Sequence, residues 1–180
     1  MSIFGNESRF GGIAQLFHWL TAATVLAAFM VAEGGPPSRI YGAVNAAALK
    51  LHESLGMAVF VLVLASLVWR LLDRRPASPP MPTWMEAASR AVQWALYALL
   101  VAIPATAILG AWLGGHPVTV YGLGPIGPFS LTSTWGASLA EIHGTLGDLM
   151  MWPAGLHAAA AIYHQVFLKD RVLKQMLPIG

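Results

Sequence analysis

The stretch from Ile142 to Leu168, I-H-G-T-L-G-D-L-M-M-W-P-A-G-L-H-A-A-A-A-I-Y-H-Q-V-F-L, is too apolar to sit in water, yet it carries His143, His157 and His164. An ionisable side chain at membrane depth must find a partner that offsets its desolvation, which makes each of these histidines a candidate for function. His157 follows His143 by 14 residues. At about 100° per residue the two lie within roughly 40° of one helix face, about 21 Å apart along the axis. One helix therefore offers two imidazoles on one side, at two depths.

The rest of the chain has the same character. Only 10% of its 180 residues are charged and 57% are hydrophobic, with a mean hydropathy of +0.63, which excludes a disordered chain and argues against a water-soluble domain. About 20 apolar residues cross the hydrocarbon core, and four windows are long enough: about 12–33, 52–72, 86–113 and 139–168. The expected fold is all-α, an integral membrane four-helix bundle forming one domain over residues 1–180. The first window is preceded by one Arg and one Glu rather than a basic cluster, and it is longer than a signal-peptide apolar region, so it reads as a helix.

With four spans both termini share a side. Arg9, Arg70, Arg74, Arg75, Arg90, Lys169, Arg171 and Lys174 fall on that side, against Arg39 and Lys50 on the other. The positive-inside rule then places both termini in the cytoplasm and the loops at 34–51 and 114–139 outside. The linker R-R-P-A-S-P-P-M-P-T is expected to be extended. The 114–139 segment, rich in Gly and Pro and holding Tyr121, Phe129 and Trp135, reads as an interfacial cap over the bundle mouth.

Topology sorts the histidines by depth. His18, in the run from Ile13 to Ala32, lies in the inner half; His52, opening the run through Leu72, lies at the outer end; His143 is outer and His157 inner. The set divides into an outer pair, His52 with His143, and an inner pair, His18 with His157. Two imidazoles joined across a dry helical bundle point to a haem iron between them. The chain has no cysteine, which excludes disulfides, iron–sulfur clusters, zinc thiolates and covalent c-type attachment together. Two haem b groups held by coordination and packing alone are therefore expected, each low-spin with both axial positions filled.

An internal echo supports the outer pair. His52-Glu-Ser-Leu-Gly56 and His143-Gly-Thr-Leu-Gly147 share the pattern H-x-[ST]-L-G. Gly56 and Gly147 lie one turn from their histidines on the same face, where a missing side chain leaves room for a flat ring. Small-residue helix packing would use the same spacing.

The segments R-F-G-G-I-A-Q-L-F-H-W-L at 9–20, L-H-E-S-L-G at 51–56, I-H-G-T-L-G at 142–147 and G-L-H-A-A-A-A-I-Y-H-Q-V-F-L-K-D at 155–170, with the ending V-L-K-Q-M-L-P, resemble the bacterial cytochrome b561 family nearly end to end. The resemblance implies a di-haem cytochrome of the bacterial inner membrane that passes electrons between an outer, periplasmic donor, a small reductant or superoxide among the candidates, and the quinone pool, with ubiquinone as the partner. It maps the axial ligands to His18, His52, His143 and His157. Two positions depart from the pattern: Gln93 stands where many members carry a third-helix histidine, and Ser66 where they carry a second-helix arginine. A more distant resemblance, to the cytochrome subunits that anchor hydrogenases and formate dehydrogenases, gives the alternative reading.

The remaining polar residues have competing explanations. By depth alone His164 competes with His157 as the inner ligand, and the family pattern favours His157; His164 is then a candidate for a quinone or proton role, against a plain interfacial histidine. Asp148, an acid inside an apolar run, is a candidate proton relay or a local polar contact. Arg70 and Arg74 have the chemistry to pair with haem propionates, and topology explains them equally well. Lys50 and Arg39 are the outer cations that would steer an anionic donor. His116 reads as a turn residue. No hydrolytic, phosphate-binding or dinucleotide motif occurs, and nothing points to nucleic acid. A metal-ion transporter would place one site near the midplane between repeated halves, which two pairs at two depths do not match.

Overall fold

A computed structural model describes residues 2–32, 46–74, 76–128 and 132–177. Arg39, Arg75 and Phe129, and most of the first outer loop, lie outside these residues. Four long helices dominate: α1 Gly12–Ala32, α2 Ala46–Leu72, α3 Thr83–Leu113 and α4 Trp135–Tyr163. A short hairpin of β1 Val118–Val120 and β2 Gly124–Ile126 joins α3 to α4, and α4 runs through a π-helical turn, His164–Leu168, before the short α5 Val172–Met176. The first three helices are each long and apolar enough to cross a membrane, while α4 carries Glu141, His143, Asp148 and His157 within its length. Large apolar side chains such as Leu71, Trp152 and Phe167 face outward, the arrangement expected of a bundle solvated by lipid.

Three helices start earlier than the apolar windows predict, α4 among them, at Trp135 rather than 139. Ala46-Ala-Ala-Leu-Lys50 are strong helix formers and extend α2 by more than a turn ahead of His52, so that histidine sits inside the helix rather than opening it. Likewise α3 begins at Thr83, straight after Pro82, which cannot continue a helix on its own N-terminal side but tolerates the residue before a first turn.

The helices associate as two couples, α1 along α2 and α3 along α4, with a lighter contact between α2 and α3. The seam between the couples is thinly packed by side chains: among the described residues the buried apolar set is Ala28, Val59, Val63, Ala111, Val118, Val120 and Met150, and only Val63 is almost wholly enclosed.

The expected interfacial cap is the hairpin. Its strands pair antiparallel with Val118 opposite Ile126 and Val120 opposite Gly124. Val118 and Val120 pack with Ala111, Met57, Ile108 and Trp112. Two residues beside His52 hold it: the Thr119 N–H donates to Glu53 Oε2 at 2.8 Å and the Tyr121 N–H to Ser54 Oγ at 3.0 Å. Lys50 lies over the Tyr121 ring, 4.5 Å from its centroid. Gly122, at φ +81°, makes a turn that a residue with a Cβ would strain.

At the opposite end the chain termini and the α2–α3 linker are tied together. The Phe10 N–H donates to the Gln175 carbonyl at 3.2 Å, Arg9 reaches the Leu177 carbonyl, Trp19 Nε1 donates to the Met176 carbonyl, Gly5 N–H binds Asp73 Oδ1, and Ala77 N–H binds the Glu7 carbonyl. Gln15, only 3% exposed, sends its Nε2 to the Phe10 and Gln175 carbonyls. Replacing it by alanine leaves a void and removes a side-chain donor that these two carbonyls share. Gln15→Ala is expected to destabilise the protein by about 1–3 kcal/mol, read as a lower thermal midpoint in detergent; an unchanged midpoint would show that the terminal clasp contributes nothing to stability.

Candidate functional site

Within the seam the four histidines meet as two pairs. His52 on α2 faces His143 on α4 with ring centroids 5.9 Å apart and planes at 75°. His18 on α1 faces His157 on α4 with centroids 6.1 Å apart and planes at 65°. The first pair lies at the hairpin end and the second toward the end that carries the termini. The partners are those that depth and facing select in the sequence.

The spacing is informative. Two imidazoles bound to one metal through bonds of about 2 Å have ring centroids roughly 6 Å apart. Edge-to-face contact between two rings falls in the same range, so the distance admits a metal and the space beside the rings is what distinguishes the two. A cavity of about 980 Å³ opens around the outer pair, lined among others by Ala28, His52, Gly56, Pro104, His143 and Gly147. A Cβ placed on Gly56 or Gly147 meets nothing within 4 Å. These glycines serve no close helix contact, so the packing explanation of the repeated motif does not apply to them, and their faces are clear for a planar ring. The residues present thus fit a haem.

The hydroxyls of the echoed motif have local duties. Ser54 Oγ donates to the Lys50 carbonyl at 2.7 Å and Thr145 Oγ1 to the Glu141 carbonyl at 3.0 Å. Such back-bonding to the preceding turn occupies both hydroxyl protons; Thr145 still lines the cavity, and Ser54 does not.

The outer pair is also oriented from behind. His52 Nδ1 lies 3.0 Å from the Ala28 carbonyl and His143 Nδ1 lies 2.9 Å from the Ile103 carbonyl. A carbonyl only accepts, so each Nδ1 carries the proton and each Nε2 keeps its lone pair for a metal. Metal-bound imidazoles almost always have such a partner, and it fixes the ring orientation. Among the described residues neither ring of the inner pair has an equivalent hydrogen bond. Sequence reasoning missed these two carbonyls, because a backbone oxygen has no residue signature.

The other candidates are dispersed. Asp148 is exposed and lines the outer cavity. His164 is 8% exposed and lies in the π-helical turn, its Nδ1 bound to Asp170, whose other oxygen accepts the Val172 N–H. Asp170 is a partner that the sequence reading did not single out. Arg70 is committed to Tyr97, donating to its hydroxyl at 2.7 Å and stacking on its ring. Arg74 is exposed just past the end of α2. Gln93 Nε2 donates to Ser89 Oγ on its own helix, and Ser66 Oγ to the Val63 carbonyl. His116 is exposed, its N–H closing the end of α3 on the Ala111 carbonyl, as a turn residue would.

Comparison with known proteins identifies a family for the chain. A family model described as prokaryotic cytochrome b561 matches residues 9–178. Cytochrome b561 homolog 2 of Escherichia coli (strain K12) is 30% identical, over 98% of this chain and 95% of its own length. A protein of Yersinia pestis named "Probable superoxide oxidase CybB" is 31% identical over 71% of this chain and 73% of its own length, and cytochrome b562 of Cereibacter sphaeroides is 30% identical over 96% and 97%.

The clear faces of Gly56 and Gly147 generate a prediction in which folding and cofactor content separate. Leucine at either position has space and raises helix propensity by up to about 1 kcal/mol, but it projects where a planar ring would lie. Gly56→Leu and Gly147→Leu are each expected to insert and fold with undiminished helicity while binding less haem, measured by pyridine haemochrome. Full haem content in both would rule out a macrocycle against these faces.

Proposed function

The chain belongs to the prokaryotic cytochrome b561 family, a family of haem b-binding membrane cytochromes, and from that premise we propose that it carries two haems and moves electrons between a donor outside the membrane and the quinone pool within it. The observation that carries the reading is the pair of imidazole couples, 5.9 and 6.1 Å between centroids, on one face of α4. His52 and His143 hold the outer haem, and His18 and His157 the inner. A haem held by two histidines would supply a one-electron station suited to electron transfer rather than oxygen binding.

The residues divide the remaining work. The hairpin gripped by Glu53 and Ser54 covers the outer mouth, and Lys50 is the described cation there, consistent with a small anionic donor; superoxide is the candidate that one relative's name supplies. Quinone reduction to quinol takes two electrons and two protons. His164, held through Nδ1 by Asp170, keeps Nε2 for a quinone oxygen at the inner end. Asp148, which lines the outer cavity, would exchange protons there. The excess of Lys and Arg on the side of the termini supports a topology with both termini in the cytoplasm of a bacterial inner membrane.

Single substitutions of the four histidines test the reading. His52→Ala and His143→Ala are expected to remove the same haem, His18→Ala and His157→Ala the other, with low-temperature spectra showing which component survives. The unmodified protein should yield two haems per chain on acid extraction and should reduce or oxidise a ubiquinone analogue without a partner enzyme. One haem per chain, or an inner haem lost in His164→Ala and kept in His157→Ala, would contradict the assignment. Inertness toward quinone until a co-purifying enzyme is added would contradict the stand-alone role.

A further inference from the structure

The two carbonyls behind the outer imidazoles are not alike. The Ala28 oxygen lies in ordinary helix. The Ile103 oxygen belongs to the peptide bond to Pro104, a tertiary amide and hence a strong acceptor, while the helix hydrogen bond that the proline removes is the one to the Leu100 carbonyl. It also has a second side-chain donor: Thr106 Oγ1 lies 2.9 Å from it and 2.8 Å from the Ala102 carbonyl, so one hydroxyl proton bridges the two oxygens. His143 Nδ1, at 2.9 Å, shares the Ile103 oxygen with that hydroxyl.

A carbonyl oxygen has two lone pairs, and the helix already claims part of this one. Density drawn to the threonine hydroxyl is density withheld from the imidazole N–H. The stronger the Nδ1–H···O bond, the more imidazolate character the ring has and the better it stabilises ferric iron, since partners behind a metal-bound histidine raise its basicity. Thr106 therefore weakens His143 as a donor to ferric iron without touching either the ring or the cofactor cavity.

We propose that Thr106 is a positioning residue that raises the reduction potential of the outer haem, by competing with the His143 ring for the Ile103 carbonyl oxygen. The proposal rests on His143 being an axial ligand. It assigns a separate control to one haem of the two, since no hydroxyl shares the Ala28 oxygen behind His52 and no carbonyl backs the inner ligands among the described residues. An outer station whose potential is set independently of the inner one lets the step between them be adjusted by one side chain.

The molecule contains its own control. Thr24 Oγ1 donates to the Leu20 carbonyl at 2.7 Å, the same back-bond on a carbonyl that no histidine uses among the described residues. The test is a potentiometric titration of the haem-loaded full chain in detergent, with the low-spin ferric EPR signal recorded alongside, for the unmodified protein and for Thr106→Ala, Thr106→Ser, Thr24→Ala and His143→Ala.

In Thr106→Ala the outer haem is expected to shift toward its ferric form by up to tenfold in the reduction equilibrium, on the order of what a partner behind a metal-bound imidazole is worth, which is about 59 mV for one electron. Its EPR component should move while the inner component stays. Thr106→Ser should restore both, and Thr24→Ala should change neither. No shift beyond that of Thr24→Ala, an upward shift, an equal shift of both haems, or failure of serine to restore the outer haem would overturn the proposal. His143→Ala separates the two ways of failing: if it keeps both low-spin haems, the ligand assignment falls and the proposal with it; if it loses the outer haem while Thr106→Ala is silent, the proposal alone falls.

Discussion

Everything in this bundle depends on keeping imidazoles apart at a metal-bridging distance inside a solvent that penalises unpaired polar groups. Lipid offers a histidine no hydrogen bond, so a ring in the seam must be satisfied by the protein or by a metal. The outer rings meet that demand at Nδ1, through the Ala28 and Ile103 carbonyls, which leaves each Nε2 with its lone pair. The architecture follows from the need to hold those positions open. Helices pair closely within each couple and loosely across the seam, small residues occupy the cavity walls, and side-chain packing concentrates at the hairpin.

Where a water-soluble bundle fills its centre with Leu and Phe, this one positions its ends instead. The hairpin hangs from Glu53 and Ser54, the two residues that follow His52, so the same turn of α2 that presents a ligand also fixes the cap above it. At the other end the chain termini bind one another and the α2–α3 linker through backbone carbonyls. Both closures fix the couples relative to each other without placing side chains in the space between them.

The legible part of this molecule is the part with a strong solvation signal. Apolar length marks α1 to α3, and histidine depth marks His18 with His157 and His52 with His143, because an imidazole in lipid is costly wherever it occurs. Gly56 and Gly147 are readable because the same motif occurs twice. What the sequence conceals lies in the backbone and in short elements. Three-residue strands such as Val118–Val120 are too short to show a period, and the Ala28 and Ile103 oxygens have no letter of their own. Asp170 becomes significant only when the π-helical turn brings it to His164. The start of α2 at Ala46 is missed for another reason: alanines lengthen a helix by propensity, and an apolar window anchored on His52 does not extend to them.

The central claim is that two irons sit between these two couples. An iron-edge anomalous difference map from crystals of the haem-loaded protein tests it most directly. The account predicts two peaks per chain, one between the rings of His52 and His143 and one between those of His18 and His157. A single peak, or an inner peak beside His164 in place of His157, would contradict it.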